Sequence, residues 1–203
     1  MTIIPKGTII GDSEEYDLLA QWVRELKLSD PLPDRILTCE IGVRKGMGSK
    51  IILDEIIKRL PKTKLRTSFK HVGVDPYDDL LYQHYDHTLP KRKDYDAKMM
   101  KQMVQNFRFY HQYKYLHMTD TEFMGAWYDH KVPFDFVHLD GPHMTKDVLT
   151  EAVWFANRSR VGSRMVFDDF TLYGMDEIAH ALTYFGYRTK HMGDFKCLLE
   201  RDE

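Results

Sequence analysis

Ile36-Leu37-Thr38-Cys39-Glu40-Ile41, continued by Gly42-Val43-Arg44-Lys45-Gly46-Met47-Gly48-Ser49, is the stretch from which the fold can be read. Its first six residues form a short, mostly apolar run, the pattern of a buried strand. Beyond the glycines, Ile51, Ile52, Leu53, Ile56, Ile57 and Leu60 recur at helical spacing over residues 49–60, and Pro61 ends the helix. A strand, a bare turn and a helix leave unpaired N–H groups at the helix start, and glycine lets a ligand come close to them. Gly42 and Gly46 are separated by three residues, which is not the dinucleotide spacing G-x-G-x-x-G, and no Gly-Lys-Ser/Thr closes a phosphate loop. The turn alone is equally compatible with a purely structural role. Glu40 shifts the balance, because a carboxylate at the strand end repels phosphate and attracts an ammonium or sulfonium.

Working outward, residues 71–75 read as a second strand that ends in Asp75, just before Pro76. A carboxylate there can accept hydrogen bonds from both hydroxyls of a ribose. Further strands are expected at 113–118, 134–139, 164–167, 187–191 and 195–200, with helices at 13–28, 94–110, 121–130, 146–159 and 175–185. Strands alternating with helices predict an α/β chain with a Rossmann-like, doubly wound, mostly parallel seven-stranded sheet and helices on both faces. Ligands of such sheets sit beyond the carboxyl ends of the strands. The chain reads as a single domain, 1–203, with an N-terminal helical extension at 1–34. Residues 78–112 are too long for a plain connection and read as an inserted, lid-like segment; Tyr82, His84, Tyr85, His87 and Tyr95 could face an acceptor there.

The bulk properties narrow the class. The chain has 203 residues, 43% hydrophobic and 30% charged, with a formal charge of -2 that gives no global field for nucleic acid. Its two cysteines, Cys39 and Cys197, lie in apolar runs and read as reduced core thiols. There is neither a span of membrane length nor a signal-peptide layout, so a cytoplasmic protein is expected. The oligomeric state is open, a homo-oligomer included.

Three carboxylates form a second candidate centre. Asp140 ends one strand and Asp168-Asp169 end another. If the strands pair, their ends lie about 5 Å apart, and carboxylates that close repel unless a cation neutralises them. Oxygen-only ligands suit Mg²⁺, Mn²⁺ or Ca²⁺, and such an ion could hold an acceptor hydroxyl and lower its pKa. His143 lies just past Asp140-Gly141 and can take a proton near neutral pH; a loop or capping role is the alternative. His138, inside its strand, reads as a core histidine.

Glu-Ile-Gly-x-x-x-Gly, Gly73-Val74-Asp75-Pro76-Tyr77, Leu139-Asp140-Gly141-x-His143 and Phe167-Asp168-Asp169-Phe170, in this order, resemble the class I S-adenosylmethionine-dependent methyltransferases, most closely the macrocin O-methyltransferase-like group. The resemblance runs from about residue 35 to the C-terminus. It implies that Glu40, Gly42 and Gly46, with Ser49, hold the methionine part of the cofactor, that Asp75 binds the ribose, and that Thr119 and Asp120 flank the adenine with Asp140 nearby. It implies a divalent metal on Asp140, Asp168 and Asp169 and a small-molecule hydroxyl as acceptor; with His143, which departs from the family pattern together with Pro142, Asp140 and Asp169 make the candidate catalytic set. Gly48 stands where the family usually has serine. A nicotinamide-dependent oxidoreductase and a non-catalytic binding module of the same fold are the competing readings.

Overall fold

A computed structural model describes residues 9–11, 13–28, 35–61, 68–77 and 95–203. Seven strands make one sheet in the order β3-β2-β1-β4-β5-β7-β6. They are β1 (Ile36–Ile41), β2 (Phe69–Val74), β3 (Tyr113–Leu116), β4 (Phe134–Leu139), β5 (Ser159–Phe167), β6 (Tyr187–Met192) and β7 (Cys197–Arg201). The pairs from β3 through β5 are parallel, and β7 runs antiparallel to both β5 and β6. β1 is buried along its whole length, which is why it reads as an unbroken run rather than an alternating one.

Helices α1 (Tyr16–Arg24), α2 (Met47–Arg59) and α3 (Ala97–Phe107) cover one face, where Leu19, Trp22, Ile52, Ile56, Met103 and Phe107 pack together. Helices α4 (Asp120–Ala126), α5 (Thr145–Ala156) and α6 (Met175–Thr183) cover the other, through Phe123, Val148, Phe155, Ile178 and Leu182. After β1 the chain builds outward through β2 to β3, then returns across the sheet to start β4 on the far side of β1. The strand order therefore reverses between β1 and β4, and in sheets of this kind the carboxyl ends at such a reversal are where ligands bind. Backbone bonds tie those ends into one ledge: Gly42 N–H to the Val74 carbonyl, Asp140 N–H to that of Ile41, and Asp168 N–H to that of Leu139, each 2.9 Å.

Two elements differ from the sequence reading in ways that matter for the site. The expected helix at 13–28 starts only at Tyr16, because Glu15 is left-handed (φ 54°) and the side chains of Ser13 and Glu15 are engaged elsewhere. Within the segment 78–112, residues 95–112 hold α3, whose Met103 and Phe107 are buried core. Its N-cap Asp96 accepts from Met99 N–H at 2.8 Å. Residues 78–94, with Tyr82, His84, Tyr85 and His87, lie outside the described residues, as do 1–8, 12, 29–34 and 62–67. Cys39 and Cys197 are free and buried. No helix among the described residues is long and apolar enough to cross a membrane.

Candidate active site

Along β1, Leu37, Cys39 and Ile41 face the α4–α6 core, so Thr38 and Glu40 point beneath α2. Glu40 is 1% exposed, and both its oxygens have inner partners. His138 on β4 donates from Nδ1 to Oε1 at 2.8 Å, and the Ser49 hydroxyl donates to Oε2. Because the Ser49 proton goes to Glu40, His71 on β2 donates to Ser49 Oγ from Nε2 (2.9 Å) and accepts at Nδ1 from the Thr38 hydroxyl (2.7 Å). Burial, with a smaller push from His138, lowers His71 to about 3, so its imidazole is neutral. Ser49, expected to face a cofactor, is fully buried and acts instead as the peg that fixes Glu40. Gly48 is glycine for the same reason: a Cβ there would lie 1.9 Å from Glu40 Oε1.

Asp75 closes β2 as expected and sits at the same turn. Its Oδ2 accepts from Val43 N–H (2.9 Å) and Arg44 N–H (2.8 Å), and Oδ1 accepts from Tyr77 N–H (2.8 Å). Burial pushes its carboxyl up, these amides pull it back, and Glu40 adds a smaller upward push. The structure thus brings Glu40 and Asp75 to one turn, with Asp75 bonded to its backbone. Gly42 (φ 83°) has no room for a side chain, since a Cβ would meet the Asp140 carbonyl at 2.0 Å. Gly46 (φ 87°) is the N-cap of α2 and offers no capping side chain, so no cap occupies the first-turn N–H groups.

Thr119 caps α4 in a capping box with Glu122, and Asp120 is half-buried in the first turn. Behind Gly141 stands Glu151 of α5, 1% exposed; burial, then Asp120, pushes its carboxyl well up.

The carboxylates at the ends of β4 and β5 divide into two groups. His138, Asp140 and Asp168 each offer an atom within 4.8 Å of the others. Asp169 is outside that group: it is left-handed (φ 47°), and its Oδ2 lies 3.7 Å from His143 Nε2. The His143 ring lies near-parallel to Tyr173, centroids 6.4 Å apart. Burial, then Asp168, pushes Asp140 well up, and the same two causes raise Asp169. Asp168 goes the other way. Burial opposes its charge, but His138, Lys196 and Ser13 together hold its carboxyl below the usual range.

Lys196, immediately before β7, is the residue the sequence reading misses. Its ammonium is fully buried, 2.5 Å from Asp168 Oδ1 and 2.8 Å from Ser13 Oγ, and Ser13 donates to Asp168 Oδ2 at 2.8 Å. No local signal marks it, because its partners are 28 and 183 residues away. His138 is also more than a core residue. It stands between Glu40 and Asp168, its Nε2 3.9 Å from Asp168 Oδ2 with no hydrogen-bond partner among the described residues.

Set against known proteins, the chain matches a family model described as a methyltransferase domain over residues 39–170. Among solved structures it is similar to an O-methyltransferase from Bacillus cereus in complex with SAH, with a TM-score of 0.62 and 11% identity over 97% of this chain and 84% of that one. It is also similar to the O-methyltransferase TomG from Streptomyces achromogenes, in complex with SAM, at 0.59 and 14% over 96% and 82%. A third likeness is to fibrillarin from Aeropyrum pernix with bound S-adenosyl-L-methionine, at 0.53 and 14% over 92% and 74%. At such identities the structural likeness shows the fold. No curated protein matches by sequence.

Proposed function

The chain belongs to the methyltransferase-domain family, and on that premise we propose that it moves a methyl group from S-adenosylmethionine to a hydroxyl of a small molecule. One observation carries the cofactor reading: Glu40 and Asp75 meet at a single turn, Asp75 bonded to its backbone and Glu40 packed against Gly48. A Cβ at Gly48 would collide with the Glu40 carboxylate. Each Glu40 oxygen uses one lone pair inward and keeps another, so the residues suit a cationic amino acid. The α2 amides suit its carboxylate and Asp75 its ribose, with Thr119 and Asp120 on the adenine side. When bound, the cofactor supplies an electrophilic methyl group. Ser49, His71 and His138 hold Glu40 in place, and His143, oriented by Asp169, accepts the proton that the acceptor hydroxyl gives up. The O-methyltransferases among the structural likenesses support a hydroxyl acceptor.

The divalent cation implied by three aspartates does not fit this arrangement. Asp168 is already bonded to an ammonium and a hydroxyl, and Asp169 lies with His143 outside the group that could share an ion.

Titration calorimetry tests the cofactor reading. The wild type should bind S-adenosylmethionine and S-adenosylhomocysteine but not NAD. Glu40→Gln and Asp75→Asn should each weaken binding about 10- to 100-fold, the worth of a charge-assisted hydrogen bond. Unchanged affinity in both variants, or preference for NAD, overturns it.

A further inference from the structure

We infer that Lys196 supplies, from within the chain, the positive charge that the aspartate cluster requires, so that the site works without a divalent metal. Asp140, Asp168 and His138 would otherwise form a ligand set around one small volume. The ammonium of Lys196 occupies that side of the cluster, fully buried and bonded to Asp168. Its placement is built rather than incidental. The Ser13 hydroxyl bridges the ammonium and Asp168, and Lys196 Nζ lies 5.3 Å from the centre of the Tyr16 ring. The Glu15 carboxylate accepts the backbone N–H groups of Asp194, Phe195 and Lys196 at 2.8, 2.9 and 2.8 Å, fixing the residue's main chain as well. Residues 13–16 are thus a strap that seats the lysine. A second cation placed on Asp168 would face a buried positive charge at close range, which costs far more in the interior than in water.

The consequence for chemistry rests on the methyl-transfer reading, whereas the exclusion of the metal stands on the cluster alone. A divalent ion can clamp two neighbouring oxygens of an acceptor; an ammonium already committed to Asp168 and Ser13 cannot. The acceptor class is therefore a molecule offering one hydroxyl, with proton removal left to the His143–Asp169 pair.

The test is Mn²⁺ titration of the full chain, followed by electron paramagnetic resonance, in the wild type, in Lys196→Met and in Lys196→Met/Asp168→Asn. Metal binding is read independently of the cofactor, so failure here is distinct from failure of the methyltransferase reading. The expected result is no stoichiometric Mn²⁺ in the wild type, one equivalent gained in Lys196→Met, and its loss in the double variant. Folding of Lys196→Met only when Mn²⁺ is supplied supports the same exchange. A wild type that binds Mn²⁺ at a site abolished by Asp168→Asn overturns the inference, whether or not Lys196→Met folds. So does a folded Lys196→Met that gains no site.

Discussion

The two carboxylate centres of this molecule are stabilised in opposite ways. At the β1–α2 turn, Glu40 is held by a serine hydroxyl and the His138 ring N–H, and Asp75 by backbone amides of the turn it supports. At the ends of β4, β5 and β7, Asp168 is held by a full opposite charge in a site closed to solvent. One donor on each oxygen and a set of backbone amides leave a carboxylate some lone pairs, with which it can accept from a cationic ligand. A buried ion pair spends that charge internally. In the proposed function the first centre takes the ligand, while Asp168 of the second is already paired with Lys196.

The contrast can be broken by mutation. Asp168→Asn strands the Lys196 ammonium in the interior and should lower unfolding stability by about 3–5 kcal/mol in urea titrations at neutral pH. Ser49→Ala removes one neutral donor and leaves Glu40 and His71 each short of a partner; about 1.5–3 kcal/mol is expected. If the two losses are equal, or reversed, the distinction between the centres fails.

A pH profile sharpens the comparison further. His71 is held at about 3 in the folded protein, against an ordinary imidazole value of 6.5. As pH falls the unfolded chain takes up this proton first. The folded state keeps its full stability above about 6.5 and loses it between about 6.5 and about 3, by at most about 1.4 kcal/mol per pH unit. His71→Asn should flatten the slope of stability against pH in that window; an unchanged slope would show that His71 is not held neutral.

The sequence by itself determined the α/β class, the buried β1 and the order of the elements. Those signals are local: an apolar run, a glycine turn, a helical period and Pro61 lie within 26 residues, from Ile36 to Pro61. The positions of Glu40, Asp75, Asp140 and Asp168 at strand ends were legible for the same reason. What those carboxylates bond to was not. Ser49 looks like a ligand contact until the register of β1 and α2 turns it onto Glu40, and Gly48 shows its purpose only against that carboxylate. Lys196 reads as an ordinary charged residue within the expected strand 195–200. It becomes the counter-ion of Asp168 because β7 inserts antiparallel beside β5, and because residues 13–16 close over it. Pairings across 28, 155 and 183 residues leave no periodic trace in the chain; only packing brings such groups together, and burial then makes the charge balance obligatory.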